Sequence, residues 1–592
     1  MRQFEHFPNL VTMFFTRARE NGGKPFLWGK SGGAWHALSW ADAAGQVASL
    51  AAALTALGLK RGDRVMLVSE NRPEWCISDL AIMAAGLVTV PTYVTNTERD
   101  HTHILENSGA SAVIVSTAKL ARTLMPAVLR ASGRQLVIAM EEVRFPATVE
   151  HHDWHALIAQ HPAAPDTVVA DFARDDLACI IYTSGTGGAP RGVMQHHGAI
   201  LHNVAGICEV IEEDFGWTDE VFLSFLPLSH AYEHTAGQFG PIGLGGEIYY
   251  AEGLEKLAAN IEECRPTLMV VVPRLFEVLR TRIAKGIEKQ GGLAAKLLGQ
   301  ALSIGARDYA GSLRWRDRPA KLAVDRLFKP KIAKRFGGRL KALVSGGAPL
   351  TPEVGLFFHS IGLNLLQGYG QTEAAPVISC NRPKAGIRMD TVGPPLPNTE
   401  VRFAEDGEIL VRGELVCHGY WRNDAETARV LKDGWLHTGD IGMFDEAGRI
   451  RITDRKKDLI INDKGDNVAP QKVEGMLTLQ PEIGQAMIAG DRRPYMVALV
   501  VPDPDWVQQW CAGSGTTCDF ARLADDPAFR TALGAAVERV NKDLSVIERV
   551  RRFIVADAPF TIENGQMTPS LKIRRHVIRE MYGERLEALY KH

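Results

Sequence analysis

Between Tyr182 and Gly192 the chain reads Tyr182-Thr183-Ser184-Gly185-Thr186-Gly187-Gly188-Ala189-Pro190-Arg191-Gly192, with four glycines, three aliphatic hydroxyls and one guanidinium but almost nothing that could pack a core. An apolar run, Leu177-Ala178-Cys179-Ile180-Ile181, leads into it. Glycine lets a ligand approach the main chain, successive amide N–H groups can enclose an anion, and hydroxyls and a guanidinium add charge-assisted donors. Polyphosphate is the natural guest of such a loop. The competing reading is a flexible linker, which has no use for Pro190-Arg191-Gly192. A Walker A loop is not written here: Gly187 and Gly192 have its spacing, but Val193-Met194 follow where Lys and Ser or Thr are needed.

Two further turns set glycines directly after apolar strands: Ser345-Gly346-Gly347-Ala348 and Gln367-Gly368-Tyr369-Gly370-Gln371-Thr372-Glu373. Open parallel sheets bind ligands at such strand ends. Tyr369 offers a flat face to a base and Glu373 an oxygen ligand to a hard cation; taken singly, the first could equally be core packing and the second a surface charge. A third constellation, His230-x-x-Glu233-His234, fits a zinc-hydrolase pattern in which two histidines on one helical face bind metal and glutamate acts as base. Pro227 and the strand-like run before it instead put His230 at a strand end. Gly29-Lys30-Ser31-Gly32-Gly33 satisfies the hydrolase pattern G-x-S-x-G, yet it lies between two strand-like pieces, as a hairpin turn would, and lacks the helix that must follow.

The elements that must position these turns follow from periodicity. Ala37-Leu38-Ser39-Trp40 opens as strand and passes into an Ala/Leu-rich helix with Ser39 as its cap; residues 65–68 and 112–115 read as strands and 74–85 as helix. The alternation returns at 267–272, 340–345 and 353–360, which predicts an α/β architecture with parallel sheets. After about residue 393, short strands at 401–403, 407–411 and 449–452 predict a small β-rich subdomain. It ends in the charged run Asp454-Arg455-Lys456-Lys457-Asp458, beyond which the chain is long enough for a small α+β domain. The expected division is 1–453, with 393–453 as the β-rich part, a hinge at 454–457, and a C-terminal domain at 458–592. Residues 280–336, basic and Leu/Ala-rich around Arg314-Trp315-Arg316, read either as surface helices or as a membrane-contacting face.

With 592 residues, the chain exceeds one core. A hydrophobic share of 46%, a charged share of 23% and a net charge of -2 describe an ordinary globular protein and argue against nucleic acid as the main partner. Eight scattered cysteines without a C-x-x-C pair suggest neither a disulfide scaffold nor a thiolate zinc site, and fit a reducing compartment. Residues 1–21 lack a signal-peptide apolar core, and the most apolar window, 77–94, contains Asp79 and reads as a buried helix running into a strand. A cytoplasmic protein without a membrane anchor is expected.

In this order the motifs resemble the adenylate-forming superfamily, which includes acyl-CoA synthetases, firefly luciferase and peptide-synthetase adenylation domains. Gly187 stands where that family usually has Thr, and Arg191 where it usually has Lys. The resemblance implies that Thr183, Ser184, Gly185, Thr186, Gly187, Gly188 and Arg191 take ATP phosphates, and that Gly346, Gly347, Gln367, Gly368, Tyr369 and Gly370 flank adenine. It implies further that Thr372 and Glu373 serve phosphate and Mg²⁺, with Thr186 as a second metal contact. Leu226-Pro227-Leu228-Ser229-His230 matches the motif that sets His230 beside the substrate carboxylate. Gly434-Trp435-Leu436-His437-Thr438-Gly439-Asp440 matches the ribose-binding stretch, with Arg455 as partner of Asp440; Asp454 and Lys457 fall at the hinge. Lys572, in Thr568-Pro569-Ser570-Leu571-Lys572, matches the lysine that bridges carboxylate and α-phosphate from a mobile C-terminal domain.

The expected activity is ATP-dependent activation of a fatty acid to acyl-AMP with release of pyrophosphate, followed by transfer to coenzyme A. The long spacer between Phe276 and Arg339 and the segment Val272-Pro273-Arg274-Leu275-Phe276-Glu277 resemble the long-chain branch. Transfer to a separate carrier protein is the alternative acceptor, and a zinc hydrolase built on His230, Glu233 and His234 the alternative of another class. Expected partners are fatty acid, ATP and coenzyme A, with Mg²⁺ as cofactor, no nucleic acid and a peripheral contact at the inner face of a membrane.

Overall fold

The computed structural model describes residues 3–131, 136–183, 189–288, 291–456, 459–464, 466–514, 523–568 and 572–591. Its first sheet has seven strands in the order Glu150–Asp153, Leu136–Ala139, Ala112–Val115, Arg64–Val68, Val88–Thr92, Leu177–Thr183, Arg191–His196. All neighbours are parallel except the last pair. The inner strands are short continuous apolar runs because both faces are covered, as parallel sheets require. Val65, Leu67, Ala112 and Ile114 pack with the helices Trp40–Ala56 and Pro73–Ala84. Met66, Val68, Val113 and Val115 face the opposite way, onto the helices Glu98–Ser108 and Ala118–Arg130. Ser39 caps the first of these helices by accepting from Asp42 N–H, a contact that stabilises a helix end by about 1 kcal/mol.

A second sheet of eight strands runs Val377–Cys380, Leu365–Gly370, Ala342–Ser345, Leu268–Val271, Val221–Ser224, Glu247–Tyr250, Pro25–Ser31, Ala34–Ser39, parallel throughout except at its two edges. The strand pair at the last edge makes the Gly29–Gly33 stretch part of a hairpin, as expected. Residues 280–336 are helical but not simply superficial. Phe276, Ile283, Ala301, Ile304, Val324 and Phe328 form a core cluster with strand residues Met269 and Leu343, whereas Trp315, Leu322 and Leu327 stand 73%, 51% and 60% exposed.

A five-stranded antiparallel sheet follows, built from Glu400–Phe403, Glu408–Arg412, Leu431–Lys432, Trp435–Phe444 and Ile450–Arg455. The charged run after residue 453, where the hinge was expected, begins as strand: Asp454 and Arg455 pair with Ile441 and Asp440. Beyond it the chain carries cores of its own. Ile483–Ala489, Met496–Pro502 and Val550–Val555 form a three-stranded sheet whose faces are covered by two clusters drawn only from residues after 459. No helix among the described residues is long and apolar enough to cross a membrane.

Candidate active site

The strand ends of both parallel sheets, the five-stranded sheet and the chain around Lys572 surround one cavity of about 2090 Å³. The hydroxyl-rich loop joins the antiparallel neighbours Leu177–Thr183 and Arg191–His196, so Thr183 and Arg191 face each other in register at its two feet, and both line the cavity. The loop residues Ser184, Gly185, Thr186, Gly187 and Gly188 lie outside the described residues. The Arg191 guanidinium forms an ion pair with Glu426 and lies 5.0 Å over the ring of Tyr420. Glu426 also accepts from Arg429 Nε at 2.9 Å, and these two arginines hold its carboxyl below the usual range, Arg429 most strongly.

Gly346 and Gly347 follow the strand Ala342–Ser345 as expected, but Gln367–Gly370, expected as a turn, is the end of the strand Leu365–Gly370, where pairing with Val377–Cys380 continues the ladder; in both places glycine is needed for steric reasons. A Cβ on Gly346 would meet the Tyr232 ring at 2.8 Å, and one on Gly370 would meet the Pro376 carbonyl oxygen at 1.9 Å. Gly347, Gln367 and Gly368 line the same wall. Tyr369 donates its hydroxyl to Asp440 Oδ2 at 2.7 Å, and Arg455 Nε reaches Asp440 Oδ1 at 3.3 Å. Asp440 and Arg455 are register partners on adjacent strands, so this trio is fixed by sheet geometry. Burial, with Asp440 beside it, raises the Tyr369 phenol well above its ordinary pKa and keeps it a donor. Thr438, quoted in the sequence only as a member of the stretch ending at Asp440, steadies the backbone there: its hydroxyl accepts from Asp440 N–H at 3.1 Å.

Thr372 and Glu373 open the short turn after Gly370, and two buried side chains brace it. Gln195 Nε2 donates to Thr372 O at 2.7 Å, and Asn203 bonds Ala374 O and Val377 N–H at 3.3 and 2.6 Å. Glu373 Oε1 accepts from the Tyr420 hydroxyl at 2.6 Å, while its Oε2 makes no hydrogen bond among the described residues. A carboxylate on the cavity wall with an uncommitted oxygen fits Mg²⁺, a hard cation that takes one or two protein oxygens and keeps several waters. Tyr420 and Glu426 escaped the sequence reading because nothing local marks them: they lie 47 and 235 residues from the groups they hold.

Elsewhere on the wall, His230 lines the cavity at the start of a helix, and its Nδ1 accepts from Tyr232 N–H at 3.1 Å. Burial and the Lys572 ammonium lower its pKa to about 4, so the imidazole is neutral at pH 7. Lys572, 342 positions later in sequence, therefore acts electrostatically on His230 across the cavity. Its backbone is tied to Thr568 by Thr568 N–H to Lys572 O at 2.8 Å and Lys572 N–H to Thr568 Oγ1 at 3.1 Å. Asp454 and Arg455 also line the cavity; Lys457 lies outside the described residues.

The zinc arrangement is not formed. His234 is fully buried with Nε2 2.8 Å from Asp79 Oδ2, and Glu233, whose pKa burial pushes up to about 8, interacts with Ser224 and Phe225. The residues fall in a π-helical turn, Glu233–Phe239, and claim partners on other elements instead of converging. Among the described residues the one grouping with metal-ligand spacing is a different trio, Asp175, His196 and His418.

Residues 14–421 match the family described as AMP-binding enzyme, and residues 457–592 match the AMP-binding enzyme C-terminal domain. The chain is similar to the long-chain-fatty-acid--CoA ligase FadD15 of Mycobacterium bovis, with 33% identity over 595 residues covering 98% of this chain and 97% of that protein. It is similar as well to long chain acyl-CoA synthetase 6, peroxisomal, of Arabidopsis thaliana, with 30% identity covering 94% and 81%. Among solved structures, the adenylation domain of a carboxylate reductase from Mycobacterium chelonae matches with a TM-score of 0.77 at 24% identity, covering 99% of this chain and 92% of that one, a likeness of fold.

Proposed function

The chain belongs to the AMP-binding enzymes of the adenylate-forming superfamily, and from that premise we propose that it activates a long-chain fatty acid and transfers the acyl group to coenzyme A. A carboxylate oxygen attacks the α-phosphorus of ATP, the bond to the β-phosphate breaks, and pyrophosphate leaves. The thiol of coenzyme A then attacks the acyl carbonyl, AMP departs, and the thiol proton passes to solvent. Both reactants of the first step are anionic, so the barrier falls chiefly through neutralisation of charge. Lys572 supplies one positive charge at the junction and Arg191 another at the phosphates, while Tyr369, Asp440 and Arg455 hold the nucleoside. Neutral His230 faces the carboxylate without adding a charge of its own. Glu373 would hold Mg²⁺, which when bound would supply further offset of phosphate charge.

The observation that carries this reading is one cavity lined both by Lys572 and His230 and by the apolar side chains of Ile207, Val210, Ile211, Phe215, Leu268 and Val270. Such side chains suit an alkyl chain, and relatives named for long-chain acids support that choice of substrate. The test is acid-dependent pyrophosphate release across a panel from acetate to palmitate, followed by thioester assay with coenzyme A and with a carrier protein. Release that peaks at long chains and thioester on coenzyme A are expected; a short-acid optimum or exclusive carrier loading would overturn the respective half.

Trp315, Leu322 and Leu327, exposed together among Arg314, Arg316, Arg318 and Arg326, support a peripheral contact with an anionic bilayer at the cytoplasmic face. Co-sedimentation with phosphatidylglycerol vesicles, absent with phosphatidylcholine and lost in the Trp315→Ala/Leu327→Ala variant, is the expected result; equal sedimentation of variant and parent would remove this surface.

A further inference from the structure

The group that opposes phosphate charge and the group that faces the metal come from distant turns, and one side chain touches both. Tyr420 donates its hydroxyl to Glu373 Oε1 at 2.6 Å, and its ring carries the Arg191 guanidinium at 5.0 Å. The side chain is 4% exposed and its backbone is anchored in several directions. Its N–H donates to Thr427 Oγ1 at 2.9 Å, and Cys417 N–H, three residues earlier, donates to Glu373 O at 2.9 Å. Trp421 N–H, one residue later, donates to Gly192 O at 2.8 Å, beside Arg191. The short segment 417–427 therefore clamps the foot of the phosphate loop and the turn bearing Glu373 in one unit, with Glu426 gripping the far edge of the guanidinium.

We propose that Tyr420 is the positioning residue of the first half-reaction, its hydroxyl orienting the Glu373 carboxylate toward the metal and its ring face orienting Arg191 toward the phosphates. The proposal rests on the activity inferred above. The two halves of the side chain do separable work. The hydroxyl occupies Oε1 and so leaves Oε2 as the oxygen offered to a cation, and a hydrogen bond to a carboxylate fixes its plane better than solvent would. The ring face is flat and electron-rich, and a guanidinium lying on it keeps its edge donors for other partners, here Glu426 on one side and phosphate oxygens on the other. Arginine suits this arrangement because it stacks as a plane, which a lysine ammonium cannot do.

The test is equilibrium binding of ATP by calorimetry in Mg²⁺ and in EDTA, with thermal melting alongside. Tyr420→Phe keeps the ring and loses the hydroxyl, so it is expected to weaken ATP binding in Mg²⁺ about tenfold while leaving binding in EDTA unchanged. Tyr420→Leu loses the ring too and is expected to weaken binding in EDTA as well. In a double-mutant cycle, Glu373→Gln added to Tyr420→Phe should cost little more than either alone. Unchanged binding of Tyr420→Phe in Mg²⁺, equal loss in Mg²⁺ and EDTA, or additive losses in the cycle would each overturn the proposal. If Tyr420→Leu fails to melt cooperatively, the Phe variant and the cycle still decide. Failure of the parent protein to bind ATP at all would instead sink the activity on which the proposal rests.

Discussion

The nucleoside wall of the cavity and the Lys572 arm are held in contrasting ways. Tyr369, Asp440 and Arg455 stand on paired strands, in fixed register, and bond one another. Lys572 belongs to the stretch after residue 459, which carries its own cores, and its backbone is tied to Thr568 by two hydrogen bonds. Groups set by a sheet move only if the sheet moves, whereas a group presented by a separately packed region is displaced by rotating that region. Under the proposed function, the difference predicts a wall that stays in place through both half-reactions and an arm that serves one of them.

The strongest way to break this comparison is Lys572→Ala. Acyl-adenylate formation should fall about 10²- to 10³-fold, roughly 3 to 4 kcal/mol, as for loss of one preorganised electrostatic group. Thioester formation from synthetic acyl-adenylate should fall far less; equal losses in the two assays would mean that the arm does not alternate. Arg191→Ala comes next. ATP and pyrophosphate binding should weaken by roughly 1.5 to 3 kcal/mol, the range for hydrogen bonds to charged groups, and titration calorimetry with unchanged affinity would take Arg191 out of the site. Tyr369→Phe removes one hydrogen bond to Asp440 and should cost about 1 kcal/mol in both half-reactions alike, sharpening the contrast with Lys572; a loss confined to the first step would contradict a permanent wall.

The smallest expected effect is a null one. Because His230 is held at about 4, kcat/KM between pH 8 and 5 should show no step assignable to an imidazole of ordinary pKa near 6.5. The Lys572 charge disfavours protonation, so Lys572→Ala should move the His230 pKa upward, visible by NMR of the ring. A step near 6.5 that disappears in His230→Asn would show the ring to be charged in use.

Local chemistry made much of this molecule legible. Ser39 could be assigned as a cap because capping is a contact over three residues, and the strand runs ending at Ser345 and Gly370 could be found because buried parallel strands are short and continuously apolar. The glycine-rich stretches at the ends of those runs accounted for one part of the cavity wall. What stayed hidden depends on partners far off in the chain. Arg191 pairs with Glu426, and Glu373 with Tyr420, through packing of separate sheets that leaves no periodic trace. His234 misled for the same reason: its spacing from His230 suited a metal face, but Asp79 from another helix claims its ring. The run from Asp454 was marked by its charge as the hinge, and composition did not show that it starts as strand, with Arg455 paired to Asp440 across the ladder.

The bonds among Tyr369, Asp440 and Arg455 bear on how a catalytic cycle ends. A buried carboxylate whose only partner is its ligand is left stranded when that ligand leaves, and the penalty for an unpaired buried charge then slows departure. Asp440 is not in that position, since a phenol and a guanidinium are already bonded to it in this structure. Under the proposed function, nucleotide recognition would trade some tightness for easy exit, and the spent nucleotide would clear the site without leaving a stranded charge behind.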